Sequence, residues 1–169
     1  MSDRSHHIEG SIDTHCHVTS MIEKGVDASA VLRTAYANGM RAVVDVGIVP
    51  TDLPGRQSLL ASCSWIALSS GIHPSKAARD DLDSLLTLLK DQVKSSSIVA
   101  VGEIGLDYHW DTGERDVQHR LFDEQLEIAA HADLPVIIHN RDADDDVLAA
   151  LRRRRPRGVM HCFSQDARF

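Results

Sequence analysis

Apolar runs typical of buried strands alternate along this chain with amphipathic stretches that have helical spacing. The run at residues 41–47 is rich in β-branched residues, whereas residues 80–94 place leucines on one helical face. Because strand and helix alternate repeatedly, we expect parallel strands joined by crossover helices. We predict strands at 11–17, 41–47, 65–72, 98–103, 134–138 and 158–160, and helices at 28–37, 53–61, 80–94, 114–132 and 142–152.

Two α/β folds are compatible with this alternation: a doubly wound open sheet and a closed (β/α)8 TIM barrel. Residues able to bind metal follow the first, fourth, fifth and sixth strands, and only a closed ring brings so many strand ends to one centre. A complete barrel takes ~250 residues, whereas this chain has 169. We therefore predict an incomplete TIM-type barrel of about six βα units. Residues 1–169 would form a single domain that lacks its C-terminal strands.

Composition restricts the location and partners of the protein. The net charge of −7 argues against coating nucleic acid through bulk positive charge, although bound cations would supply positive charge locally. Three widely spaced cysteines suggest a reducing compartment rather than a disulfide framework. A reducing cytosol fits this cysteine pattern best, so we predict a cytoplasmic protein. No run approaches the ~20 apolar residues of a membrane span, so no transmembrane segment is expected.

Candidate metal ligands stand at the ends of several predicted strands. His15 and His17 share one face of a strand because they are two residues apart. Glu103 ends a buried strand, where a carboxylate is costly unless it is paired or metal-bound. His139 and His161 follow two later strands. Each histidine alone could be a hydrogen-bonded core or rim residue, but together they predict a metal centre. A carboxylate between two ions is a recurring device of hydrolases, so Glu103 is also the candidate catalytic residue.

Six segments, in order, resemble the TatD family of metal-dependent nucleases within the amidohydrolase superfamily. They cover most of the chain, and as a set they are highly specific. The segments are IDTHCH (12–17), GIHP (71–74), VGEIGLDY (101–108), FDEQLEIA (122–129), LPVIIHNR (134–141) and HCFS (161–164).

The resemblance implies a TIM barrel with two divalent metal ions, such as Mg²⁺, Mn²⁺ or Zn²⁺. His15 and His17 would hold the first ion, His139 and His161 the second, and Glu103 would bridge them. The implied activity is exonuclease-like cleavage of DNA, with RNA as another possible substrate. The family pattern also has an aspartate at the end of a later strand. No corresponding segment is present, because Asp166 lies only five residues after His161.

Three further residues are candidates for substrate binding or for support of the ligands. His73, in a Gly-Ile-His-Pro segment, would face the substrate or contact a ligand, or be a plain rim histidine. Asp107 would orient a ligand or bind substrate, or be a turn residue. Arg141 would share the face of His139 and hold a phosphate, or form a surface salt bridge.

Other polar residues have simpler interpretations. The arginines at 152–155 are expected to complement a helix dipole rather than to bind nucleic acid. Cys16 and Cys162 should pack away from the ions, and His6 and His7 belong to a disordered terminus. His109, His119 and His131 are expected in loops or on exposed helix surfaces.

Two alternatives to the nuclease hypothesis remain open at this point. One is an amidohydrolase or esterase that acts on small molecules with the same barrel. The other is a truncated barrel that binds metal weakly and has little or no activity. The absent later-strand aspartate favours the second alternative.

Overall fold

The structure is a computed structural model that describes residues 9–95, 98–110 and 112–166. Strands and helices alternate along this part of the chain as predicted, with short 3-10 turns at Pro50–Asp52 and Pro74–Lys76. The strands are β1 (Ile12–Cys16), β2 (Ala42–Asp45), β3 (Ile66–Ser70), β4 (Ala100–Asp107), β5 (Val136–Arg141) and β6 (Gly158–Met160). The helices are α1 (Val18–Glu23), α2 (Ala28–Ala37), α3 (Leu53–Leu60), α4 (Leu82–Lys94), α5 (Arg115–His131) and α6 (Asp144–Arg154).

The strand order decides between the two predicted folds. Within the described residues, six strands form one sheet in the order of the chain, and every neighbouring pair is parallel. A doubly wound sheet would reverse its order at a switch point. The sheet also curls strongly. This is seen from the rings of His15 on β1 and His161 after β6, which stack with centroids 3.5 Å apart. The fold is therefore an incomplete barrel of the TIM type, as predicted.

Helices α4 and α5 cover the central strands and form the main core with them. The leucines of α4 that were predicted to share a face are buried, and Leu89 is fully inaccessible. From α5, Phe122, Leu126 and Ala129 pack in the same cluster as Val101 and Ile104 of β4. A smaller cluster joins α2 and α3 to β3 through Leu32, Leu53, Leu60 and Leu68. This packing fixes the backbone at the centre of the sheet.

The fourth strand is longer than predicted, and the expectation that Glu103 ends it is wrong. β4 continues to Asp107, pairing with β5 through Gly105↔His139 and Asp107↔Arg141. Gly105 permits this because its φ is +149°, and an added Cβ would lie 1.9 Å from the His139 carbonyl oxygen. Glu103 therefore lies inside β4, which pairs with β5 both before and after this residue.

A short helix was missed at the start of the chain. The six residues of α1 are too few for a clear helical period in the sequence. Its first N–H, from Val18, donates to the buried carboxylate of Asp45 at 2.8 Å. That contact pins α1 to the end of β2, directly after His17.

Several expectations about charged and sulphur-containing residues can be checked against the fold. The arginines at 152–154 occupy the last turn of α6, as expected, and Arg153 and Arg154 pair with Asp123 of α5. Cys16 packs against the smaller core cluster, and burial, with Asp45 nearby, raises the pKa of its thiol to about 12. Cys162 is exposed.

None of the helices in the described residues is long and apolar enough to cross a membrane. His6 and His7 lie outside the described residues.

Candidate metal centre

Glu103 is placed by an irregularity in the ladder between β4 and β5. Gly102 pairs with Ile137 and Ile104 with Ile138, so β4 advances two residues while β5 advances one. Glu103 is the extra residue, and its N–H donates across to the Gly47 carbonyl oxygen at 2.8 Å. Bulges are common beside active sites because they redirect a side chain. Here the bulge accompanies a carboxylate that is only 3% exposed.

The two oxygens of Glu103 face different histidines. Oε2 lies 3.3 Å from His15 Nε2 and 3.5 Å from His17 Nε2, and those two nitrogens are 3.1 Å apart. Oε1 lies 2.8 Å from His139 Nδ1 and 3.7 Å from His73 Nε2. One buried carboxylate therefore stands between two histidines at the end of β1 and two others, His73 in the loop after β3 and His139 on β5.

The spacing of these donor atoms suits divalent metal ions. Ligand bonds of ~2.0–2.2 Å to one ion place neighbouring donors about 3.0–3.5 Å apart. The triangle formed by His15, His17 and Glu103 has edges of 3.1, 3.3 and 3.5 Å. In two further groups, His15–Glu103–His161 and His73–Glu103–His139, the donor atoms lie within 4.8 Å of one another. Imidazole nitrogens with a carboxylate oxygen suit Zn²⁺, Mn²⁺ and similar cations.

The charges within the cluster favour an ionised Glu103. Burial alone would favour the neutral acid, but hydrogen bonds with His139, His15 and His17 outweigh it and hold the pKa of Glu103 far below its usual range. The hydrogen bond with Glu103 raises the pKa of His17. Burial opposes protonation of His139, yet Glu103 and Asp107 raise its pKa.

Two further histidines of the cluster, His73 and His161, tend toward the neutral form. Burial lowers the pKa of His73 to about 4. Burial, with a smaller effect of His15, also lowers the pKa of His161. A neutral imidazole has a free nitrogen lone pair, which is the form that binds metal.

A buried ion pair stabilises the ends of β2 and β3, next to His17. Arg56 of α3 is 3% exposed and donates to the Asp45 carboxylate at 3.2 Å and to the Ser69 carbonyl oxygen at 2.7 Å. It thereby ties together the ends of β2 and β3. Next to Asp45, the Val46 carbonyl oxygen lies 2.8 Å from His17 Nδ1, a contact that directs His17 Nε2 toward Glu103.

Asp45 and Arg56 were not predicted as residues of the site. A signal was present for Asp45, because it interrupts the apolar run at 41–47. Arg56 stands in a helix with little amphipathic character, and its partners are brought to it only by the fold.

His73 and Asp107 both join the predicted cluster. His73 Nε2 faces Glu103 directly, so His73 is an additional candidate ligand. Asp107 is buried, and its Oδ2 lies 2.9 Å from His139 Nε2. Because the other oxygen accepts from the N–H groups of His109 and Trp110, Asp107 both orients His139 and shapes the loop.

Arg141 lies at the exposed end of β5, where its guanidinium carbon is 5.4 Å from the centre of the Trp110 ring. The side chains of the five predicted ligands converge, and their roles as ligands stay predictions. These residues are His15, His17, Glu103, His139 and His161.

Comparison with known proteins connects this geometry to a family. The model of the family described as "TatD related DNase" matches residues 12–169. The chain belongs to this family. Its fold superposes with a TM-score of 0.83 on the crystal structure of YjjV, a TatD homologue from Escherichia coli K12. The two chains are 32% identical, and the match covers 92% of this chain and 61% of that one.

Curated relatives of this chain are named as hydrolases or deoxyribonucleases. The uncharacterized metal-dependent hydrolase YabD of Bacillus subtilis is 34% identical over 158 residues, which cover 92% of this chain and 61% of YabD. The putative deoxyribonuclease tatdn3 of Danio rerio is 34% identical over 154 residues, covering 85% of this chain and 58% of that protein. The chain thus spans about three fifths of the length of these relatives.

Proposed function

We propose that this protein is a divalent-metal-dependent hydrolase that cleaves the phosphodiester bonds of DNA from an end, with RNA as a secondary substrate. The observation that carries the proposal is the buried Glu103 carboxylate, which has histidines at both of its oxygens. The family description and the name of the Danio rerio relative support DNA as the substrate.

The proposed roles of the ligands follow from the family resemblance, and the positions of the donor atoms support them for His15, His17, His139 and Glu103. His15 and His17 would hold one ion, His139 and His161 the other, and Glu103 would contact both. The donor distances also bring His73 to the side of His139 and His161 to the side of His15. Bound ions would polarise the phosphate and lower the pKa of a water molecule. Asp107 would keep the His139 ring oriented, and Arg141 would bind a phosphate of the substrate.

A small-molecule amidohydrolase or esterase is the second candidate, because the same donors also suit C–N and carboxylic ester hydrolysis. The net charge of −7 favours it, since a polyanion such as DNA is repelled at long range. The third candidate is a barrel that binds metal weakly and has little or no activity.

A substrate panel separates these candidates. End-labelled single- and double-stranded DNA, RNA, a nitrophenyl ester, an amide and a lactone are incubated with Mg²⁺, Mn²⁺ or Zn²⁺ and with a chelator. The proposal expects metal-dependent shortening of DNA, and no shortening by Glu103→Gln. The matched control is Glu124→Gln, an exchange of the same kind on an α5 side chain that is 37% exposed.

Each other outcome favours one alternative. Hydrolysis of the ester, amide or lactone without cleavage of DNA would favour the small-molecule enzyme. Absence of both metal binding and hydrolysis would favour the inactive barrel. Full DNA cleavage by Glu103→Gln would overturn the proposed role of that carboxylate.

A further inference from the structure

The loop after β4 holds an exposed tryptophan beside the metal cluster. Trp110 is 57% exposed, although its backbone is fixed: its N–H donates to Asp107 Oδ1 at 3.2 Å. The other oxygen of Asp107 lies 2.9 Å from His139 Nε2. A single buried carboxylate therefore ties the position of Trp110 to that of a candidate metal ligand.

A cation lies next to this ring. The guanidinium carbon of Arg141 is 5.4 Å from the centre of the Trp110 ring, and the His109 ring packs edge-on at 4.7 Å. Arg141 follows His139 by two residues on β5, so it lies about 7 Å further along the strand. The exposed ring and the cation thus stand just beyond the cluster, at the carboxyl end of the strands where substrates of such barrels bind.

Two acidic residues near this loop, Asp142 and Asp146, have partners of their own. Asp142 Oδ2 lies 3.0 Å from His109 Nδ1, and Asp146 accepts a hydrogen bond from Tyr108 at 2.6 Å. These contacts draw the two carboxylates toward neighbouring side chains. Among the residues that the structure describes, Arg141 forms no ion pair with a carboxylate, so its positive charge is available to an anion that approaches the ring.

Another exposed aromatic residue provides a contrast. Tyr36 is 59% exposed, but it lies on α2 with its ring 5.2 Å from that of Trp65, remote in sequence from every candidate ligand of β4 and β5.

An exposed aromatic face that is paired with a cation is the arrangement that binds unpaired bases: the base stacks on the ring and the phosphate contacts the positive charge.

We propose that Trp110 and Arg141 form a subsite for one unpaired nucleotide of a single strand, with the base stacked on Trp110 and a phosphate bound by Arg141. This proposal rests on the proposed nuclease function. Because every base has a π face, the subsite accepts all four bases and favours frayed or single-stranded ends.

Fluorescence tests the stacking directly, because the chain has only two tryptophans. In a Trp65→Phe background Trp110 is the remaining one. This 169-residue chain is titrated with a short thymidine strand that has nuclease-resistant phosphorothioate linkages, in Mn²⁺ buffer. An abasic strand with the same linkages is the matched ligand.

The expected result is saturable quenching by the thymidine strand, with the abasic strand bound about 5- to 100-fold more weakly and without quenching. The Trp110 variants lack the fluorescent reporter, so their binding is measured by the fluorescence anisotropy of fluorescein-labelled strands. Trp110→Ala should remove the preference, which Trp110→Phe should largely restore and Tyr36→Ala should leave unchanged. Arg141→Ala should weaken binding of both strands, and Arg141→Lys should recover part of the loss.

Two results would overturn the subsite, and they are distinguishable. If the wild-type protein cleaves DNA but binds both strands equally, or if Trp110→Ala keeps the preference, the subsite fails and the nuclease function stands. If the protein neither binds nor cleaves DNA but hydrolyses an ester or amide, the nuclease function fails and the subsite fails with it.

Discussion

The centre of the sheet and its edges hold the candidate ligands in different ways. All eight residues of β4 are buried, and Glu103 and Asp107 lie on this strand between β3 and β5. At the edges, Ile12 of β1 is 57% exposed and Val159 of β6 is 39% exposed. Apolar packing on both sides therefore positions the carboxylates, whereas the histidines of the edge strands have less core around them.

Hydrogen bonds replace packing at the β1 edge. His17 is held by the Val46 carbonyl oxygen, and the end of β2 is held by Asp45 and Arg56. A buried ion pair fixes geometry only while both partners are present. Central residues should therefore dominate metal binding, whereas the edge should depend on a few polar contacts.

The largest effect is expected from the central carboxylate. Glu103→Gln removes the charge that both candidate groups share, so metal affinity should fall by more than about 100-fold, since even supporting residues cost 10–100-fold. His161→Ala removes a donor at the edge and should cost less. Calorimetric titration with Mn²⁺ measures both variants. Equal losses would break the contrast between centre and edge.

The buried arginine gives the next largest effect. Arg56→Leu leaves the Asp45 carboxylate buried without its cation, so the free energy of unfolding should fall by about 3–5 kcal/mol. Urea denaturation measures this. The control is Arg120→Leu, which removes an exposed pair with Asp83 and should cost less than about 1 kcal/mol. Similar losses in the two variants would mean that the ion pair does not hold the edge.

A polar contact within the centre should have an intermediate effect. Gln125 is fully buried, and its side chain bonds the N–H of Ile72 at 2.6 Å and the carbonyl oxygen of Ile72 at 3.1 Å. Gln125→Leu leaves these groups unpaired next to His73 and should cost about 1–3 kcal/mol. Thermal unfolding measures the loss. No change in stability would show that water replaces the side chain.

Metal binding should strengthen as the pH rises. The raised pKa values of His17 and His139 mean that both rings keep a proton to higher pH than an ordinary histidine, and that proton competes with the metal. Raising the pH from 6 to 8 should therefore increase Mn²⁺ affinity, by up to about tenfold per pH unit for each competing proton. Titrations at three pH values measure the slope. A flat profile would contradict histidine ligation.

The smallest effect is expected at the surface, away from both regions. Arg154, and then Arg153, lower the pKa of Asp123 to about 2. A lowered pKa stabilises the fold above the unfolded value of 3.8, and this contribution disappears as the pH falls from about 4 to 2. Asp123→Asn should cost less than about 1 kcal/mol at pH 7 and nothing near pH 2. Urea midpoints at the two pH values measure the difference.

The sequence predicted the parts of the fold that depend on local pattern. The bounds of α2 and β6 agree with the prediction, and α5 differs by one residue at each end, because clear apolar spacing and end signals mark them. The convergence of the predicted ligands also followed from sequence, since residues at parallel strand ends share one edge of a sheet.

Features that depend on pairing between distant segments were not predictable. The bulge at Glu103 is defined only by the register of β4 against β5, and the extension of β4 to Asp107 needs that partner. Likewise, Arg56 gains its role from the Ser69 carbonyl oxygen on another strand. Hydrophobic period contains no information about such contacts.

The most direct test of the central claim is anomalous diffraction from crystals of the protein soaked in Mn²⁺. We expect anomalous peaks on both sides of the Glu103 carboxylate, one beside His15 and His17 and one beside His139. Peaks that leave Glu103 without contact to a metal ion, or that lie away from these histidines, would contradict this claim.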